Sequence, residues 1–306
     1  MESIKDLDIP IIVGPTASGK TEIAIRFAEK YGYEIISADS RQFFKEMNIG
    51  TAKQSNYELS RAKHHFVNFL SPLDESYNSY TFGIEGRELI KNLKKNGKKV
   101  LVVGGSGLYI QSLVHGFFDD LGISDEEKLY FRKEVEKRDI RDCFEDLLRV
   151  DEEYALSIPK NNVQRIHRGL EVYYLSGRKM SELHKEHKKQ KYFNPIYIGL
   201  SLEREELYNR INERFDTMLK AGLIDEIRFL SDKYGIDLKR LNTTIGYREF
   251  IPFLKGKIDL EEAIHNAKRD SRHFAKRQIT WFKRIENMNW VKNSFETIDK
   301  LFGYKF

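Results

Sequence analysis

Eight consecutive residues, Gly14-Pro15-Thr16-Ala17-Ser18-Gly19-Lys20-Thr21, carry the pattern G-x-x-x-x-G-K-[ST] of a phosphate-binding loop. Its glycines let backbone N–H groups close around a polyphosphate, and a helix starting at its end points a positive dipole at the same place. Lys20 adds a compact positive charge for the phosphates, and the Thr21 hydroxyl can ligate Mg2+. The chemistry this allows is the binding of a di- or triphosphate. Asp39 is the second candidate. Beside a bound polyphosphate, an acid at the end of a neighbouring strand either holds the metal or accepts a proton from a nucleophile; its plainer use is to cap the turn at Ser40-Arg41. Ser106, inside Gly104-Gly105-Ser106-Gly107, is a third candidate, although a glycine-rich turn also serves close packing. Arg210 and Arg214 stand one helical turn apart, so both can reach one anion, against the alternative of a solvated helix face.

Short apolar runs position these residues. Ile9-Pro10-Ile11-Ile12-Val13 leads into the loop, and an amphipathic stretch from Glu22 to Tyr31 follows it. Tyr33-Glu34-Ile35-Ile36-Ser37 ends at Asp39, and Lys99-Val100-Leu101-Val102-Val103 ends at the second glycine cluster. Strands alternating with helices predict an α/β fold with a parallel sheet, where ligands gather at the carboxyl ends of strands. Residues 14–21, 38–42 and 104–107 should therefore converge on one crevice. From about residue 119 to 194 the strand signals stop. Ser124-Asp125-Glu126-Glu127 reads as a capping box, Ile140, Phe144 and Leu147 as a second helix, and Val163, Ile166, Leu170 and Tyr173 as a third ending at Ser176-Gly177. An all-helical insertion over 119–194 is expected, set within a catalytic core of 1–118 and 195–306. Pro195-Ile196-Tyr197-Ile198-Gly199-Leu200 returns the chain to the sheet. A helix with Leu207, Ile211, Phe215 and Leu219 on its buried stripe follows, and a last long helix spans about 260–285.

With 306 residues there is room for one large domain or a large and a small one, and 40% hydrophobic with 32% charged residues suits a globular chain. A net charge of +5 is mild, so an anionic partner must be met by a local cluster. Two clusters present themselves: Lys160, Arg165, Arg168, Arg178, Lys179, Lys188, Lys189 and Lys191, and Lys268, Arg269, Arg272, Lys276, Arg277, Lys283 and Arg284. The second is interleaved with His273, Phe274, Trp281 and Phe282, and cations alternating with aromatic side chains suit single-stranded nucleic acid. Cys143 is alone, which excludes an internal disulfide framework and a multi-cysteine zinc site. His64-His65 has no companions at metal-ligand spacing and reads as structural. Neither a signal peptide nor an apolar run of membrane-spanning length is evident, so a cytoplasmic protein is expected. A P-loop kinase of small molecules would use residues 14–21 and Asp39 but leave the basic clusters idle. An RNA-binding protein with a relict loop would leave Asp39 idle.

In order along the chain, residues 14–24, 36–42, 47–53, 103–110, 164–172, 210–219, 244–248 and 275–282 resemble the tRNA dimethylallyltransferases (tRNA isopentenyltransferases). The resemblance runs from Pro10 to Trp290 and implies a P-loop NTPase-like fold with the helical insertion touching tRNA. It implies dimethylallyl diphosphate as the donor, with Mg2+ at Thr21, and the exocyclic N6 amine of adenosine 37 in the anticodon stem-loop as the acceptor, in tRNAs reading codons that begin with U. In that reading Gly14, Pro15, Thr16, Ala17, Ser18, Gly19, Lys20, Thr21 and Arg210 hold the diphosphate. Asp39 is the general base, Ser106 orients the amine or bridges to the diphosphate, and Arg214 stabilises the leaving group. Contacts to tRNA fall to Asp39, Ser40 and Gln42, to Gln164, Arg165 and Arg168, and to Lys276, Arg277, Gln278 and Trp281. A monomer is expected. An adenine-nucleotide isopentenyltransferase shares fold and donor, but the insertion with Arg165 and Arg168 argues for an RNA acceptor. The chain departs from the family in Ser106 for threonine, in Phe44 for tyrosine, and in Lys160-Asn161-Asn162 for Pro-Asn-Asp, which removes an acidic contact or cap.

Overall fold

The computed structural model describes residues 4–117, 121–187 and 191–305. The first three residues, Lys188 and Lys189 of the basic cluster, and the expected boundary at 118/119 lie outside them. The described chain forms two compact units, Met1–Val114 with Tyr192–Phe306, and His115–Lys191. The helical unit thus begins and ends a few residues before the 119–194 stretch expected.

In the first unit six strands make one parallel sheet: β1 (Asp8–Val13), β2 (Tyr33–Ser37), β3 (His64–His65), β4 (Lys99–Gly104), β5 (Asn194–Ser201) and β6 (Asn289–Lys292), ordered β3-β2-β4-β1-β5-β6. Ile12 of the central strand stands beside Val103 of β4 and Ile198 of β5. Because helices cover both faces, the strands are apolar on both. Ile11, Val13, Ile36 and Val102 pack into a core with Phe82, Leu113 and Leu230, whereas Ile12, Ile35, Leu101 and Val103 pack with Ile23, Phe27 and Ile298. The helices of this unit are α1 (Lys20–Tyr31), α2 (Asn56–Arg61), α3 (Ser79–Lys95) and α4 (Gly107–His115), and, after the helical unit, α10 (Arg204–Lys220), α11 (Leu223–Tyr234), α12 (Lys239–Thr243), α13 (Ile251–Leu254), α14 (Leu260–Phe282) and α15 (Phe295–Lys305).

Both edge strands escape a reading by apolar runs. The two histidines of β3 belong to the sheet through Ile35 and Ile36 of β2, and His65 is fixed by Glu34, Nε2 to Oε2 at 2.7 Å. The four residues of β6 are alternately half-buried and exposed, too short a period-two signal to stand out.

The second unit contains α5 (Asp125–Val135), α6 (Ile140–Val150), α7 (Glu152–Leu156), α8 (Val163–Ser176) and α9 (Met180–His187). Its core is built on Cys143, Phe144, Leu147, Ile166, Leu170 and Leu183. The capping box is formed, with the Glu127 N–H donating to Ser124 Oγ at 3.2 Å and the Ser124 N–H to Glu127 Oε2 at 2.8 Å. At α8 the departure Asn162 still caps: its Oδ1 accepts the Arg165 N–H at 3.2 Å, so the cap expected to be missing is present in neutral form. Among the described residues no helix is long and apolar enough to cross a membrane.

Candidate active site

The phosphate-binding loop leaves β1 at Val13 and becomes α1 at Lys20. It turns through Ala17 at φ 61° and Gly19 at φ 83°, backbone that glycine adopts freely and alanine only under strain. Gly14 lets the loop close on itself, since a Cβ there would lie 2.9 Å from Ser18 Oγ. The Ser18 hydroxyl is buried without a partner. Lys20 curls back so that Nζ donates to Pro15 O at 2.7 Å. Burial pulls its ammonium down to about 8, with Asp39 opposing the shift and Arg214 adding to it. Burial lowers Arg214 as well, opposed by Asp39 and Glu58. Two cations and one carboxylate from α1, α10 and the end of β2 therefore feel one another.

The Asp39 turn is built by its neighbours. Ala38 N–H donates to Val103 O at 2.7 Å, and Ser106 N–H donates to Ala38 O at 3.2 Å. Asp39 Oδ1 accepts the Arg41 N–H at 3.1 Å, so the carboxylate caps its own turn as well as lining the cavity. Ser106 Oγ accepts the Ser40 N–H at 3.1 Å and reaches Ser40 Oγ at 3.3 Å. The Ser106 hydroxyl is thus spent on the turn, and Ser106 and Ser40 do not line the cavity.

The glycines around Ser106 answer to close approach. A Cβ on Gly104 would fall 2.1 Å from Ala38 O, one on Gly105 2.3 Å from Gln278 Nε2, and one on Gly107 2.2 Å from Trp281 Nε1. Gln278, buried on α14, clasps two loops at once: Oε1 accepts the Thr16 N–H at 2.8 Å and Nε2 donates to Gly105 O at 3.0 Å. Gln278 and Trp281, expected at tRNA, are here the side chains that α14 presses onto these loops.

A cavity of about 360 Å³ opens above the loop. One end is lined by Thr16, Ala17, Lys20, Thr21 and Arg214, with Ile211, Phe215 and Met218 of α10 as an apolar flank. Asp39, Arg41 and Gln42 line it from the β2 turn. The lining is completed by Gly50, Thr51 and Gln54, by Thr243, Thr244, Ile245 and Arg248, and by Phe274, Arg277 and Gln278. Gln54 Oε1 and Thr244 Oγ1 are buried there without a protein partner among the described residues. Arg41 is a desolvated cation held to Thr243 O at 3.3 Å, whereas Arg248 is neutralised by Glu249 at 2.6 Å and Asp270 at 2.8 Å.

Several candidates stand elsewhere. Gly14, Pro15, Ser18 and Gly19 shape the loop without lining the cavity. Arg210 is paired with Glu206 one turn back at 2.8 Å and is not among the residues that line it. Lys276 is exposed. In the helical unit Gln164 and Arg165 are exposed, and Arg168 pairs with Glu171, a buried acid that also holds Arg132. Gln54 and Thr243 carry no motif in the sequence, whereas Arg41, Thr51, Thr244 and Ile245 lie in stretches named there, and Phe274 in the basic cluster, without a role of their own; His64, read as structural, lines the cavity besides holding the sheet edge. Among the described residues no three His, Cys, Asp or Glu side chains gather as a metal site. The Thr21 hydroxyl and the Asp39 carboxylate, lining one cavity, still suit a hard cation whose other ligands are phosphate oxygens and water.

Comparison with known proteins places this geometry. The IPP transferase family matches residues 42–285. A tRNA dimethylallyltransferase of Thermosipho melanesiensis is 42% identical over 295 residues, covering 95% of this chain and 96% of that protein. One from Thermotoga maritima is 42% identical over 299 residues, covering 96% and 95%. Among solved structures, the tRNA isopentenylpyrophosphate transferase of Bacillus halodurans superposes with a TM-score of 0.72 at 33% identity, over 97% of this chain and 96% of that one. A eukaryotic dimethylallyltransferase acting on tRNA gives 0.81 at 29% identity, over 94% of this chain and 74% of that one.

Proposed function

The chain belongs to the tRNA dimethylallyltransferase family, and from that premise we propose that it moves a dimethylallyl group from dimethylallyl diphosphate to the exocyclic N6 amine of an adenosine in tRNA, at position 37 of the anticodon stem-loop in tRNAs reading codons that begin with U. The observation that carries this reading is the meeting of Lys20, Arg214 and Asp39 in one cavity. Its cationic end suits a diphosphate, and its apolar flank of Ile211, Phe215 and Met218 suits an allyl chain. The acceptor base must be taken out of its stack to reach the cavity.

In the reaction the allylic C–O bond breaks with its electron pair passing to the diphosphate. Lys20 and Arg214 stabilise that charge, which is largest as the bond breaks. A divalent cation such as Mg2+, held through Thr21, would add Lewis-acid neutralisation of the same diphosphate. The N6 lone pair, delocalised into the ring, forms the new C–N bond. Asp39 accepts the proton that N6 must lose, which requires hydrogen-bond reach. The Ser106–Ser40 pair holds the turn that carries Asp39. The exposed cations Lys276, Arg277 and Arg165 are offered to the RNA backbone, and the working unit proposed is a monomer.

Transfer of labelled dimethylallyl groups to unmodified tRNA, with AMP and ATP as control acceptors, tests this. Label on the adenosine 3′ of the anticodon is expected. Label on AMP alone would make the acceptor a free nucleotide, and label on no acceptor would sink the reading.

A further inference from the structure

Next to residues that line the cavity, one carboxylate takes four donors. Glu226 of α11 accepts the backbone N–H groups of Asn48 at 2.9 Å, Ile49 at 2.9 Å and Gly50 at 3.1 Å, three residues in succession. Its fourth donor is the Tyr247 hydroxyl at 2.8 Å. Burial and the neighbouring Glu226 push the Tyr247 phenol well above its ordinary value, so it stays protonated and donates. The Tyr247 ring is fully buried, and Gly50 lies directly on it: a Cβ there would stand 2.5 Å from the ring Cζ. Gly246, at φ 94°, completes the joint, since its own Cβ would come 3.3 Å from Gly50 O.

The two stretches joined in this way both line the cavity. One carries Gly50 and Thr51 and leads to Gln54; the other carries Thr244, Ile245 and Arg248. Neither has a helix or strand of its own where it meets Glu226, so no regular hydrogen-bond ladder sets its position. The phosphate end rests on other supports, β1, α1 and the Gln278 clasp.

We propose that Glu226, acting with Tyr247, is a positioning residue that sets the separation of these two walls and so the fit of the acceptor base, through the otherwise unpartnered Gln54 Oε1 and Thr244 Oγ1. This rests on the reading of the cavity as a prenyl-transfer site. An ionised carboxylate has about four lone-pair sites and no donor, which matches the four donors aimed at it. A glutamine there turns an N–H2 group toward backbone N–H groups and leaves some of them unmade, so the walls shift although size and shape are kept.

Steady-state kinetics of the full-length protein, with anticodon stem-loop RNA and dimethylallyl diphosphate varied in turn, tests the proposal. Glu226→Gln is expected to raise the acceptor KM about ten- to hundredfold while the donor KM moves less than about twofold. Tyr247→Phe should move the acceptor KM in the same direction by less, and the double variant by less than the product of the two, since both act through one carboxylate. A merely structural anchor lowers the melting temperature and the amount of active enzyme but leaves both KM values alone; that result overturns the proposal, as does a joint rise of donor and acceptor KM. If Glu226→Gln does not fold, Tyr247→Phe decides alone: an unchanged acceptor KM overturns the proposal and a selective rise supports it. Absence of transfer by the unmodified protein would instead fault the functional reading on which the proposal rests, and both would fall.

Discussion

Lys20 and Asp39 divide the work at the residue scale, and each makes a separable prediction. Asp39→Asn keeps the shape of the turn and removes the proton acceptor. Turnover should fall roughly 10²- to 10⁴-fold, the usual range for a lost general base, with donor and RNA affinity retained. A single-turnover rate near normal would remove Asp39 from that role. Lys20 carries a pH signature. Its ammonium is lowered to about 8 by burial, so between about pH 8 and its ordinary 10.5 the folded apo-protein holds fewer protons than the unfolded chain, and this residue's contribution to stability rises with pH across that window. Below pH 8 the buried charge is a standing cost that a diphosphate relieves. Diphosphate affinity should therefore fall as pH rises above about 8, because binding must then take up a proton at Lys20. Calorimetry in buffers of different ionisation heat checks this; proton uptake absent at pH 9 would refute it.

At the scale of elements, α14 acts as a brace across two loops rather than only as a basic surface. Gln278→Ala removes both halves of the clasp, to Thr16 N–H and to Gly105 O. It should cost about 1–3 kcal/mol of stability, from buried backbone groups left unmade, and raise the donor KM more than the acceptor KM. A donor KM within twofold of normal would show that the loop keeps its shape unaided. The same helix explains why Gly104-Gly105-Ser106-Gly107 resembled a ligand loop in sequence: its glycines give way to Ala38 O, Gln278 and Trp281. Nothing local to four residues reveals that a helix more than 170 positions later lies against them. On α10 the same limit appears within one element. Arg210 and Arg214 share a face with about 6 Å of rise between them, but the first pairs with Glu206, whereas the second lines the cavity and feels the charge of Asp39.

At the scale of the whole molecule, the helical unit has a core of its own, and the lone cysteine reports on it. Cys143 is fully buried in the helical unit with Leu147, Ile166 and Leu170. Leu147→Ala should destabilise that unit by about 2–5 kcal/mol, and thiol labelling of Cys143 under native conditions should speed up accordingly. An equivalent truncation of Phe27 in the core under the sheet should speed it less. Equal acceleration by the two would mean that both units open together. Within the helical unit the basic cluster is not uniformly available: Arg168 is held by Glu171, Arg178 by Glu186 at 2.6 Å and Lys185 by Glu153, while Arg165 makes no ion pair among the described residues.

What could be read without coordinates was what the chain encodes over short spans. The loop of residues 14–21 is contiguous and its strand and helix adjoin it. The four longest strands, β1, β2, β4 and β5, are largely buried and so are mostly apolar, and the helical unit shows its 3.6-residue stripe and its caps. The carboxylate at Asp39 was legible because it ends such a strand. The rest of the site was decided by tertiary structure. Arg41, Gln54, Thr244, Phe274 and the joint of Glu226 with Tyr247 and Gly50 acquire meaning only when stretches some 175 to 200 residues apart are brought face to face. The physical reason is that a phosphate loop is made of consecutive backbone amides, whereas the walls of a cavity are made of side chains whose neighbours are chosen by packing.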